Sequence, residues 1–212
     1  MRGIHRNILI AGALFLVGGL VITGAMVYVI GSAWFGLPVG AQAPHQPIAF
    51  PHTVHAGSVD DGGLGLDCTF CHRNVDKGAA ATIPSTEQCM FCHATIDGTT
   101  TAAMVEIQKL QDAVAAGEPI NWVRVHRLPD HVQFVHDAHV RFLMANPEQI
   151  VNATSLTISP AGTVNAAETC STCHGMVAEM TEVKQIRALK MGDCVDCHRE
   201  QNAPTDCSTC HY

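Results

Sequence analysis

The chain has 212 residues, 47% hydrophobic and only 15% charged; this excludes a disordered chain and leaves room for one ordinary domain with or without a membrane segment. Its formal charge of −7 excludes nucleic acid as a partner, because phosphate binding needs a basic face. Aromatic residues make up 5%, too few for a large Phe/Trp/Tyr core, whereas ten Cys and thirteen His give the sequence its character.

The first predicted element is residues 8–30, which carry no Asp, Glu, Lys, Arg or His. As a helix this block is roughly 34 Å long, enough to cross a bilayer. Arg2, His5 and Arg6 precede it, and the next Lys or Arg is Arg73. The positive-inside rule therefore predicts a cytoplasmic N-terminus, with everything after about residue 36 on the periplasmic side. Trp34 and Phe35 stand where an interfacial aromatic anchor would, and Gly18, Gly19 and Gly24 permit close helix packing. A cleaved signal peptide is the competing reading, with Ala41-Gln42-Ala43 as its cleavage site. The apolar block is too long for that, and an anchor is favoured. The expected organisation is a cytoplasmic tip and transmembrane anchor (1–36), a Pro-rich linker (37–51) and an extracytoplasmic domain (52–212).

Within that domain, Phe50-Pro51-His52-Thr53-Val54-His55 comes first, followed by a turn-rich loop, Asp60-Asp61-Gly62-Gly63-Leu64-Gly65. The loop carries no calcium-loop signature and reads as solvated. Two C-x-x-C-H motifs follow, Cys68–Cys71–His72 and Cys89–Cys92–His93. Residues 102–116 predict a helix with Met104, Ile107, Leu110 and Val114 on one stripe, stopped by Gly117 and Pro119. Phe134-Val135-His136-Asp137-Ala138-His139 then repeats the F-x-H-x-x-H form of residues 50–55. Residues 144–168 are a polar insertion without Cys or His, a candidate docking loop; its Asn152-Ala153-Thr154 sequon is a chance match. Three more motifs close the chain: Cys170–Cys173–His174, Cys194–Cys197–His198 and Cys207–Cys210–His211, with a second helix expected over 179–191.

All ten Cys fall into these five copies and none is left over. C-x-x-C-H is the attachment signature of c-type haem. Two thiols add across the two vinyl groups on one porphyrin edge, and the following His lies under the iron as its proximal ligand. A disulfide framework or zinc ribbons would not need a His after every second Cys. Five covalent haems (iron) are therefore expected, forming the core of a mainly α domain with extensive irregular loops and little sheet.

The remaining histidines are His5, His45, His52, His55, His126, His131, His136 and His139. His5 falls on the cytoplasmic side and His45 in a Pro-flanked linker. His52, His55, His136 and His139 are expected as distal ligands, because residues three apart share a helix side and can serve irons on its two flanks. One iron then still needs a sixth ligand: His126 is favoured, then His131, then Met180, with Met176 and Met191 also in range. Arg124, Arg127, Arg141, Lys184, Arg187 and Lys190 are candidate partners for haem propionates. With both faces of every iron filled, no open position remains for a substrate. Electron transfer is thus expected rather than catalysis, and no catalytic residue is assigned.

The run from Trp122 to Val140, containing His126, His131, His136 and His139, resembles the pentahaem cytochrome c subunit of bacterial alternative complex III. So do Cys170–Gly175, Met180 and the stretch Leu189-Lys190-Met191-Gly192-Asp193-Cys194. The resemblance covers most of residues 45–211 and the single anchor, although many relatives have Trp where this chain has Asp193. It implies an electron-transfer subunit of a menaquinol:acceptor oxidoreductase complex, working beside membrane and iron–sulfur subunits. A monohaem cytochrome subunit and a soluble cytochrome c or blue copper acceptor are the further partners implied. The alternative is a multihaem quinol dehydrogenase subunit that binds quinol itself.

Overall fold

The structure, a computed structural model, describes residues 2–35, 43–152, 157–158 and 166–212. The chain divides into two compact units, Met1–Gly40 and Ala41–Tyr212, and is mainly helical.

The first unit is one helix, α1 (Arg2–Phe35). Within it Asn7–Gly31 has a mean hydropathy of 2.4, and none of its most apolar stretch is buried by other parts of the protein. Twenty-five residues at about 1.5 Å each exceed the roughly 30 Å hydrocarbon thickness. This helix is long and apolar enough to cross a membrane. The side chains of Trp34 and Phe35, the region of the expected cleavage site and the sequon at Asn152 lie outside the described residues.

In the second unit the chain is tied down well before residue 52. Gln46 donates from Nε2 to the Val123 carbonyl and accepts from the Val123 amide, both at 2.9 Å. The Ala49 amide donates to Glu106 at 2.8 Å. The later part of the expected linker is therefore a strap on the domain.

Helix α2 (His52–His55) follows Pro51. The chain then doubles back, as the Leu64, Gly65 and Leu66 amides donate to the carbonyls of Val54, Gly57 and His55, each at 2.9 Å. Gly63 permits this, because a Cβ there would run into the Gly57 carbonyl, and Gly62 turns the chain at φ 86°. The Asp60/Asp61 loop is thus a clasp over α2.

The helices α3 (Cys68–Cys71), α4 (Thr86–His93), α7 (Ala166–His174), α8 (Met191–Glu200) and α9 (Cys207–Cys210) carry the five motifs. Between them lie α5 (Thr101–Ala116) and α6 (His136–Ala145). Strands β1 (Val151–Asn152) and β2 (Thr157–Ile158) pair antiparallel. Residues 153–156 and 159–165 of the candidate docking loop lie outside the described residues, but Ile150 near its start is fully buried.

α5 forms as its pattern predicts, with Thr100 capping the Ala103 amide and Gly117 closing it in the left-handed conformation. The expected helix over 179–191 does not form. Val177–Glu179 makes a single 3-10 turn, and at Met180 the chain is extended. The Met180 carbonyl accepts from the His52 amide at 3.1 Å, so this backbone is committed to α2. Helix α8 starts only at Met191, where Asp193 accepts from the Lys190 amide at 2.7 Å. Among the described residues the buried hydrophobic side chains are Val75, Leu110 and Ile150, a thin core for a domain of this length.

Candidate cofactor site

Each C-x-x-C spans one helical turn. Residues three apart on a helix share a side, so both thiols of a motif project together. In α3 the Asp67 carboxylate caps the turn, accepting from the Thr69 amide at 2.8 Å. All ten Cys are free thiols. Among the described residues no cluster of three or more His, Cys, Asp or Glu forms an ion cage, which is not the arrangement of zinc ribbons.

The motif histidines are held by backbone carbonyls. His72 donates from Nδ1 to the Thr82 carbonyl at 2.6 Å, His93 to Ile96 at 2.9 Å, His198 to Pro204 at 2.6 Å and His211 to His131 at 3.3 Å. Three upstream histidines do the same: His55 to Pro51 at 3.0 Å, His136 to Ala79 at 2.9 Å and His139 to Val135 at 2.7 Å. A carbonyl can only accept, so each Nδ1 carries the proton and each Nε2 keeps its lone pair. This is the tautomer that binds a metal through Nε2, with the outer nitrogen fixing the ring.

The upstream imidazoles face the motif imidazoles. Ring centres are 6.1 Å apart for His55 and His93, 6.5 Å for His136 and His174, 6.0 Å for His139 and His198, and 5.5 Å for His131 and His211. A metal–imidazole bond is about 2 Å, so two rings on opposite sides of one metal have centres roughly 6 Å apart. These four pairs fit that spacing. His52 lies beside His72, close enough for the two to repel when charged. His126 instead meets His174 edge-on at 4.2 Å, too close for a metal between them, and its Nε2 is buried without a partner.

The two F-x-H-x-x-H copies have the same local geometry. Phe50 stacks on His55 at 4.3 Å and 21°, and Phe134 on His139 at 4.4 Å and 23°. Phe50 meets His52 edge-on at 5.1 Å, and Phe134 meets His136 edge-on at 4.9 Å. In each copy the two imidazoles lie beside different motifs: His52 beside His72 and His55 beside His93, His136 beside His174 and His139 beside His198.

Burial favours the neutral, ligand-competent imidazole. It lowers His52 to about 4, with His72 and His55 adding to the effect. It lowers His174 to about 4 as well, reinforced by His126, His136 and His72. His55 and His126 are also lowered by burial.

Of the other expected site residues, His45 is exposed. Met191 is 66% exposed at the start of α8. Two of the candidate propionate partners have carboxylates of their own: Arg127 pairs with Asp130 at 3.1 Å and Arg141 with Asp137 at 4.0 Å. The sequence reading missed Gly175. It turns the chain directly after the third motif at φ 71°, where a Cβ would press on Ile186; its place after His174 was the available signal. Comparison with protein-family models and with curated proteins finds no match to this chain.

Proposed function

We propose that this chain is a membrane-anchored, five-haem electron relay. Cys68/Cys71, Cys89/Cys92, Cys170/Cys173, Cys194/Cys197 and Cys207/Cys210 would hold the porphyrins. The axial pairs would be His72 with His52, His93 with His55, His174 with His136, His198 with His139 and His211 with His131. Bound c-type haem supplies a one-electron ferric/ferrous couple. The chain's own backbone carbonyls fix the imidazole tautomers, and the paired imidazoles would hold the irons.

The observation that carries this reading is the facing of motif and upstream imidazoles at ring separations that suit a shared metal. The thin polypeptide core supports it too, since burial of large flat apolar groups contributes stability in proportion to area. Ligands on both faces leave no position for substrate, which favours transfer of electrons over haem catalysis. With Arg2 and Arg6 ahead of the apolar stretch Asn7–Gly31 and no further Lys or Arg before Arg73, the haem domain would be periplasmic and the N-terminus cytoplasmic. The likeness of the 122–140 run to alternative complex III favours a place in a menaquinol-oxidising complex. The chain would pass electrons there to a monohaem cytochrome subunit, a soluble cytochrome c or a blue copper protein.

The test is expression in a host that attaches c-type haem. The denatured protein should weigh five haems more than its polypeptide. The oxidised protein should give only low-spin EPR signals, and the reduced protein should not bind carbon monoxide. A bare polypeptide mass, or ready carbon monoxide binding, overturns the reading.

A further inference from the structure

The motifs are not neighbours in space in the order in which they occur in the sequence. Helix α4, with the second motif, sits against α3, with the first. Gln88 donates from Nε2 to the Phe70 carbonyl at 2.5 Å, and Arg73 lies over the Phe91 ring at 6.0 Å. The shared helix α2 completes this pair, presenting His52 beside His72 and His55 toward His93.

Helix α3 packs on α7, which carries the third motif. The thiols of Cys68 and Cys170 lie within interaction range of each other, and so do the imidazoles of His174 and His72. The first and third motifs therefore abut, although about a hundred residues separate them.

The third and fourth motifs share α6, whose His136 faces His174 and whose His139 faces His198. The chain after His198 folds back on it, the Ala203 amide donating to the His198 carbonyl at 2.7 Å and the Pro204 carbonyl accepting from its Nδ1 at 2.6 Å, which brings the fifth motif beside the fourth. The fifth motif is held by the 131–133 strand segment. Val132 and His211 form an antiparallel bridge, and the Gln133 amide donates to the Cys210 carbonyl at 2.7 Å. On its remaining side the second motif is covered by α5, where Gln111 donates to the His93 carbonyl at 3.0 Å.

We infer that the five attachment sites stand in single file in the order 89–93, 68–72, 170–174, 194–198, 207–211. The second motif of the sequence, not the first, is then one end of the file, and the fifth is the other. This rests on the haem reading above. Since each thioether sulfur is bonded to a porphyrin edge, adjacent Cys Sγ atoms mean adjacent edges. Each transfer between neighbours oxidises one site by one electron and reduces the next by one. A one-electron donor protein and a one-electron acceptor protein would therefore dock at the two end sites.

The test is two-dimensional proton NMR of the oxidised full-length holoprotein in detergent, read for cross-peaks between haem methyls of different groups. Three groups should each show two neighbours and two groups only one. A thioether-methyl cross-peak should join the groups on Cys68 and Cys170. His55→Met should displace the signals of one single-neighbour group and His131→Met those of the other. A branched or closed pattern overturns the order, as does a missing Cys68–Cys170 cross-peak. So does an end group that moves with His52→Met. The wild type alone decides the first two, should a variant not fold. A bare polypeptide mass would instead remove the haem reading itself, so the two failures are told apart.

Discussion

His126 and His131 lie five residues apart and differ in what they face. The ring centre of His131 lies 5.5 Å from that of His211 with the two planes 14° apart, and its own carbonyl holds the Nδ1 proton of that partner. His126 presents its edge to His174 at 4.2 Å, which leaves no space for a metal between the rings. The proposed fifth pair therefore uses His131. Replacing His131 with Ala should leave one iron five-coordinate, giving a high-spin EPR signal and carbon monoxide binding by a single haem after reduction. His126→Ala should keep every haem low-spin. The reverse result would reassign the ligand. The sequence left this choice among His126, His131 and a Met, because a distal ligand is defined by the motif it faces. His131 and His211 are eighty residues apart, and local spacing says nothing about that distance. The proximal side is proposed from the sequence alone, because attachment chemistry would dictate it within five consecutive residues.

At the scale of elements, the F-x-H-x-x-H repeat was legible because its geometry is local. One aromatic ring and two imidazoles within six residues set their own angles, and both copies agree to within a few tenths of an ångström. Helix α5 was legible for the same reason, having a cap, a periodic stripe and a terminating Gly. The stripe was read too broadly, however. Leu110 is 6% exposed whereas Met104 is 49% exposed. Leu110→Ala should cost about 2–5 kcal/mol in denaturant unfolding of the holoprotein. Met104→Ala should stay within about 0.5 kcal/mol of wild type, and equal losses would mean that the stripe is buried along its length. The absent helix at 179–191 was not legible. Its residues suit a helix, but the Met180 carbonyl is taken by the His52 amide, a contact across more than a hundred residues.

For the whole molecule, acid should be destabilising, and the sign follows from the imidazoles. His52 and His174 are held at about 4 in the folded domain against an ordinary 6.5. Above pH 6.5 both states keep these rings neutral and no stability depends on them. As pH falls from 6.5 toward 4, the unfolded chain takes up protons that the folded chain refuses, so stability is lost across that window. In the holoprotein iron on these rings would exclude the proton in the same direction as burial does, so denaturant midpoints should fall between pH 7 and pH 5; a flat profile would mean that the rings are neither buried nor iron-bound.

The same side chains bear on what holds the domain together. Among the described residues, Val75, Leu110 and Ile150 are the buried hydrophobics. Fully burying such a side chain contributes about 1.5–3 kcal/mol, while ordering each backbone residue costs about 1–2 kcal/mol. A few aliphatic side chains cannot offset that cost over residues 41–212. The half-buried imidazoles of His52 and His174 add to the cost unless a partner takes their lone pairs. Made in a host without haem-attachment machinery, the domain should lack a cooperative unfolding transition and near-ultraviolet circular dichroism, and should be cut rapidly by protease. The haem-loaded protein should resist protease and unfold sharply. Protease resistance and a sharp transition in the haem-free chain would show that the polypeptide carries its own core, and the ring pairs would then need a structural explanation in place of a metal-binding one.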